Sequence, residues 1–148
     1  MIHTAFTMQW PGKIIFGAGR LAALGDEAKA LGRRAFLATT TDLSSLGLTR
    51  RVQGLLEGAG LTVTLYEEVQ PDPTCLAVDA AAGIAKAAGC DLVIGLGGGS
   101  AIDLAKGVAV AVTHPGPIWD YVTYTGANAK PVTPAVLPVI AVTFGGMV

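Results

Sequence analysis

The chain has 148 residues, 51% of them hydrophobic and only 14% charged, with a formal net charge of −1. That is one domain's worth of chain and enough for a sizeable core. The ten Lys and Arg are scattered among eleven Asp and Glu, which excludes the basic footprint of a nucleic-acid binder.

Two short β-like runs, Thr4 to Trp10 and Lys13 to Gly17, flank Pro11-Gly12 and predict an N-terminal β-hairpin. Leu21, Leu24, Ala28 and Leu31 then recur at helical spacing until Gly32. Ala35 to Thr39 reads as a buried strand that closes in the polar run Thr39-Thr40-Thr41-Asp42. Leu48, Val52, Leu55, Leu56 and Ala59 mark a second helix, and Leu61 to Tyr66 a further strand running into Glu67-Glu68. Pro71-Asp72-Pro73-Thr74 is a turn that starts an alanine-rich helix, with Leu76, Ala80, Ile84 and Ala88 on its expected core face. The strand Asp91 to Leu96 leads through Gly97-Gly98-Gly99-Ser100 into a helix from Ala101 to Thr113. His114 to Ala135, rich in proline and glycine and carrying Trp119, Tyr121 and Tyr124, predicts a long ordered loop. Leu137 to Val142 is a last apolar strand.

Alternating strands and helices predict an α/β fold, a Rossmann-like parallel sheet with helices on both faces. Ligands in such folds sit at the carboxyl ends of strands. Thr39 to Asp42, Pro71 to Thr74 and Gly97 to Ser100 all end strands, so they should open on one edge of the sheet.

The stretch Gly95-Leu96-Gly97-Gly98-Gly99-Ser100 has the makings of a phosphate cradle. A strand, a glycine turn and a helix present free backbone N–H groups to an anion, and glycines let the backbone approach it closely. Ser100 stands where a helix N-cap is expected. A P-loop is excluded, because no Gly-Lys-Ser/Thr occurs. The dinucleotide fingerprint G-x-G-x-x-G nearly fits from Gly95, with Ser100 in place of its third glycine. The bland alternative is a glycine turn that merely joins strand to helix.

Other chemistry finds little support. His3 and His114 lack an i,i+4 partner and read as solvated bystanders, so no metal site is expected. Glu67 and Glu68 are neighbours in a strand and face opposite sides, a poor catalytic pair. Arg33-Arg34 and Arg50-Arg51 read as solvated helix ends within reach of a phosphate. Cys75 and Cys90 are too far apart for a C-x-x-C motif and read as reduced thiols of a cytoplasmic protein. Asp91, Asp103 and Lys106 interrupt the best apolar stretches, and no signal peptide is evident, so no membrane association is expected. The charge-poor surface suits contact with a further domain or a second copy, and a homodimer stays open.

Four segments, in order, resemble the iron-containing (group III) alcohol dehydrogenases, specifically their N-terminal cofactor-binding domain. Phe16-Gly17-Ala18-Gly19 with Leu24 is similar to the family's F-G-x-G opening, and Pro71-Asp72-Pro73-Thr74 to its P-[ND]-P-T turn. Gly97 to Lys106 matches its G-G-G-S-x-x-D-x-x-K signature. Leu137 to Val142 resembles the strand ahead of its threonine-rich cofactor loop.

The resemblance implies that residues 1–148 form a dinucleotide-binding domain, with the pyrophosphate on Gly97, Gly98, Gly99 and Ser100. It puts Asp103 near the nicotinamide, Thr143 in the cofactor loop, and Thr39, Thr40, Thr41, Asp42, Pro73 and Thr74 along the strand ends. The family commonly has an acid on the adenine ribose where this chain has Thr40, with Asp42 two residues later. A carboxylate repels a 2′-phosphate and a hydroxyl does not, so NADP is favoured over NAD, and Asp42 on the ribose would reverse that. After Val142 the chain reads Thr143-Phe144-Gly145-Gly146-Met147-Val148 in place of P-T-T-x-G-T-G-S-E. The family's iron or other divalent metal belongs to a helical C-terminal domain outside this sequence, so the expected catalytic and metal residues here are none, and hydride transfer by the chain alone is not expected. A related dehydroquinate synthase or glycerol dehydrogenase type, or a non-catalytic nucleotide-binding or dimerising module, are the alternatives.

Overall fold

A computed structural model describes residues 12–123 and 129–144 of the chain. Among the described residues, four strands form one parallel sheet in the order β2-β1-β3-β4: β1 (Arg34–Ala38), β2 (Thr62–Tyr66), β3 (Leu92–Leu96) and β4 (Val139–Val142). Phe36 pairs with Val93 across β1 and β3, and Gly95 with Ala141 across β3 and β4.

β1 and β3 are central, and their apolar runs follow from burial on both faces. Phe36, Ala38 and Val93 pack beneath α4 (Cys75–Ala87) and α5 (Gly99–Thr113). Ala35, Leu37, Leu92 and Ile94 face α1 (Leu24–Leu31) and α3 (Leu48–Gly58), which bury Leu24, Ala28, Val52 and Leu56 against them. The expected α/β sheet with helices on both faces is therefore present.

From β1 the chain moves outward to β2, then returns across β1 to β3. The direction of winding reverses between β1 and β3, and a crevice opens at their carboxyl ends. Gly95 brings α5 down onto β3, since a Cβ there would stand 2.9 Å from the Ala101 carbonyl and 3.0 Å from the Ala105 Cβ. Gly97 then turns the chain at φ +138°, a conformation that side chains rarely adopt.

Several local expectations need correction. No hairpin is seen: Thr4 to Trp10 lies outside the described residues, and residues 13–17 belong to no strand. Lys13 instead pairs with Glu27 on α1, and Gly17 at φ +139° leads toward a 3₁₀ turn, Arg20–Ala23. A short helix, α2 (Thr41–Ser45), occupies the polar run after β1. On α4 the expected core face is turned to solvent, with Leu76 81% and Ile84 46% exposed. Val78, Ala81, Ala82 and Ala85 are buried in their place. The reason is close packing of α4 on α5: Val78 fits over Gly107, where a Cβ would come within 2.8 Å of its Cγ1. An alanine-rich helix offers two apolar stripes, and only the smaller-residue stripe permits that approach.

The connection from α5 to β4 holds a 3₁₀ turn, Ile118–Tyr121, anchored by the Ile118 N–H donating to Asp79 Oδ1 at 2.8 Å. His114 is 5% exposed and not a solvated bystander. Among the described residues, no helix is long and apolar enough to cross a membrane.

Candidate functional site

A cavity of about 380 Å³ opens at the carboxyl ends of β1 and β3. Thr40, Thr41 and Asp42 line it after β1, Val69, Gln70 and Pro71 after β2, and Gly98, Gly99, Ser100 and Ala101 after β3. Two long-range contacts bring these segments together. Thr40 forms an antiparallel bridge with Glu68, which carries the chain after β2 across the end of β1. The Asp72 N–H donates to Ser100 Oγ at 3.3 Å, tying the proline turn to the start of α5.

The cradle is made of backbone. Gly98 is the N-cap of α5, with no side chain capping the helix, and Ser100 lies within the first turn. The first helical N–H to find its carbonyl is that of Ile102, bonded to Gly98 O at 3.2 Å. The N–H groups of Gly99, Ser100 and Ala101 therefore stand outside the helix's own bonds, at the positive end of its dipole. A Cβ at Gly98 or Gly99 would meet nothing within 4 Å, so packing within the chain does not require glycine there. Open space above uncapped N–H groups is what an incoming phosphate needs.

The charge in the lining is Asp42, and no Lys or Arg belongs to it. Thr39 is fully buried beside this lining, and its Oγ1 has no hydrogen-bond partner. Pro73 and Thr74 lie outside the cavity lining, and Thr74 caps α4 by accepting the Ala77 N–H at 3.2 Å. Asp103 points along α5 to Lys106, its exposed partner at 3.0 Å, and Thr143 follows β4 at the surface. Of the twelve positions expected on the cofactor, the structure thus gathers Thr40, Thr41, Asp42, Gly98, Gly99 and Ser100 around one space, with Gly97 and Thr39 buried behind it.

Val69, Gln70 and Ala101 were not expected in the lining. Only the bridge between Thr40 and Glu68 places Val69 and Gln70 there, and no local pattern announces it. A second hollow of about 430 Å³ lies along the outer edge of β2, between Thr41, Tyr66, Glu68 and Ile84. Burial, and then the Glu68 carboxylate, push the Tyr66 phenol above its ordinary range.

The described residues contain no group of three or more His, Cys, Asp or Glu that suits a metal ion. His114 is engaged on both ring nitrogens by its own chain. These residues do not fit a catalytic metal.

A winding reversal in a parallel sheet, with an uncapped helix N-terminus and open glycines beside it, is where open α/β domains take their ligands, outside the carboxyl ends of the strands. Residues 11–144 match the family described as iron-containing alcohol dehydrogenase, and the chain belongs to that family. It is 37% identical over 125 residues to a 4-hydroxybutyrate dehydrogenase of Cupriavidus necator, a match covering 84% of this chain and 32% of the relative. Among solved structures, an archaeal halo-thermophilic alcohol dehydrogenase from a Red Sea brine pool superposes with TM-score 0.87 at 37% identity, over 97% of this chain and 37% of that one. A sulfoacetaldehyde reductase from Bifidobacterium kashiwanohense, solved in complex with NAD+, gives TM-score 0.76 at 30% identity, over 93% and 35% of the two chains. The chain thus spans about a third of the length of the relatives it matches.

Proposed function

We propose that this chain is the dinucleotide-binding part of an NAD(P)-dependent alcohol dehydrogenase of the iron-containing family. The pyrophosphate would rest on Gly97 to Ser100, and the adenine ribose would reach Thr40 and Asp42. One observation carries the reading: the N–H groups of Gly99 to Ala101 are uncapped beneath two glycines whose Cβ positions are open. When bound, a nicotinamide dinucleotide supplies the hydride acceptor for converting an alcohol to an aldehyde or ketone. This chain's own residues would hold and orient it. Backbone N–H groups neutralise the pyrophosphate, the Ser100–Asp72 contact fixes the cradle against the proline turn, and Thr40 and Asp42 set the ribose preference. Asp103 and Thr143 would join a ligand that extends past the cavity toward β4.

Thr40 favours NADP(H), being uncharged where the family places an acid, and Asp42 is the group that would turn the preference to NAD(H). Because the described residues do not fit a metal, the chain by itself is expected to bind cofactor without turning over alcohol. Calorimetric titration with NADP and then NAD at matched salt tests the reading. Saturable binding of either supports it, and NADP tighter than NAD supports the role of Thr40. Absence of binding to both, or alcohol-dependent reduction of NADP by the purified chain, would overturn it.

A further inference from the structure

We propose that His114 is a proton-operated latch: its neutral ring pins the approach to β4 against the end of α5, and protonation releases it. This goes beyond cofactor binding, since His114 caps the end of α5 remote from the cradle.

The hydrogen bonds dictate a single tautomer. The Thr133 N–H, which can only donate, points at His114 Nε2 at 2.9 Å, so Nε2 must carry its lone pair. On the other side Nδ1 lies 3.0 Å from the Val110 carbonyl, which can only accept, so Nδ1 must carry the hydrogen. Thr133 Oγ1 adds a second contact to Nε2 at 3.0 Å, and Thr113 Oγ1 stands 2.8 Å from Nδ1. The ring is 5% exposed, and the Tyr121 ring meets it edge-on with centroids 5.2 Å apart. A proton taken from solvent can settle only on Nε2. Thr133 N–H then loses its acceptor, and a cation stands in a buried pocket.

Among the described residues, no carboxylate is hydrogen-bonded to the ring. α5 contributes only the Val110 carbonyl and the Thr113 hydroxyl. From the 3₁₀ turn come the Tyr121 phenol, which donates to Pro115 O at 2.7 Å, and the Asp120 carboxylate, already paired with Lys130 at 2.6 Å. From α4 the Asp79 carboxylate is bonded to Ile118 N. The Lys130 ammonium, 6.0 Å from the centre of the Tyr121 ring, adds positive charge to the same region.

Thr133 belongs to the stretch that delivers β4. Four residues later Leu137 N–H donates to Ala109 O at 3.3 Å, and Pro138 O accepts the Val93 N–H at 3.0 Å. The far end of β4 reaches the site, where Val142 O accepts the Gly97 N–H at 2.9 Å. Releasing Thr133 therefore loosens the edge strand from which the glycine turn hangs.

The test uses NMR on the whole chain. A long-range correlation of the imidazole nitrogens at about pH 7.5 should show hydrogen on Nδ1, and hydrogen on Nε2 would overturn the proposal. Amide exchange, corrected for intrinsic rates, is then compared at about pH 7.5 and at a pH below the midpoint that the His114 ring resonances themselves report, and a ring that stays neutral until the chain unfolds would overturn the latch. Protection at Thr133 and across residues 130–137 should fall roughly threefold to tenfold, the worth of one hydrogen bond, while β1 is unchanged. In His114→Gln that pH-dependent fall should vanish. An equal fall in β1, or the same fall in His114→Gln, would overturn the latch. Should the variant fail to fold, the tautomer and the contrast between Thr133 and β1 in the unaltered chain still decide.

Discussion

Ser100 Oγ accepts the backbone N–H of Asp72 at 3.3 Å, joining residues 28 apart in sequence. Asp72 sits at φ +50°, a conformation uncommon for a residue with a side chain, so this bond helps hold the proline turn in place. Ser100 lies in the first turn of α5, where alanine is tolerated. Ser100→Ala should therefore remove the tie and little else. Unfolding in urea should show a loss of about 0.5–1.5 kcal/mol, the net worth of one hydrogen bond. Dinucleotide affinity should fall along with it.

Gly95 and Gly99 lie four residues apart and should respond in opposite ways. A methyl at Gly95 would sit 2.9 Å from the Ala101 carbonyl and 3.0 Å from the Ile102 Cα, both backbone atoms that cannot turn aside. Gly95→Ala should cost roughly 1–3 kcal/mol of stability through overpacking. At Gly99 a methyl meets nothing within 4 Å, and the position is helical. Gly99→Ala should leave stability unchanged or raise it by up to about 1 kcal/mol. Yet its methyl would occupy the space assigned to phosphate, so dinucleotide affinity should fall more than about tenfold. Thermal melts with and without NADP separate the two effects.

This pair also marks which features of the fold are legible in the sequence. β1 and β3 announce themselves because strands buried on both faces are continuous apolar runs, and Gly97 to Ser100 because a sharp strand-to-helix turn needs glycine. The face of α4 is not legible, since alanine at many positions blurs the stripe and Gly107 on another helix decides which residues are buried. Val69 and Gln70 in the cavity depend on the Thr40–Glu68 bridge, and the burial of His114 depends on Thr133, 19 residues away. The legible features are local in sequence; the others are set by partners that folding alone brings near.

Cys90 gives a pH-dependent signature of the core. Burial pushes its thiol above the ordinary value of 9.0, with Asp91 adding to the rise and a Thr64 hydrogen bond and Arg34 opposing it. In the unfolded chain the thiol ionises at its ordinary value, so the unfolded state sheds its proton first. The stability tied to the neutral thiol is therefore complete below about pH 9 and is lost as pH rises through the higher folded value. Urea midpoints should fall over that alkaline range, and Cys90→Ala should fall less steeply. A thiol reagent at neutral pH should modify half-buried Cys75 first and reach Cys90 only on unfolding.

Cofactor choice should turn on Thr40 and Asp42, a hydroxyl residue and the one carboxylate in the lining of the cavity. A carboxylate at position 40 would accept both ribose hydroxyls of NAD and repel the 2′-phosphate of NADP. Thr40→Asp should therefore move the ratio of NADP to NAD affinity toward NAD by about tenfold or more, about 1.4 kcal/mol or beyond. Asp42→Asn removes the negative charge from the lining and should move the ratio the other way, by a smaller factor that shrinks as salt rises. Both substitutions lie at the start of the short helix α2, and Asp at position 40 is itself a good N-cap, so the fold should tolerate them. Titrations of each variant with both dinucleotides give the ratio directly. A ratio unmoved by Thr40→Asp would place the ribose elsewhere, with the hollow beside Tyr66 and Glu68 the next place to look, because it adjoins Thr41 on the same strand ends.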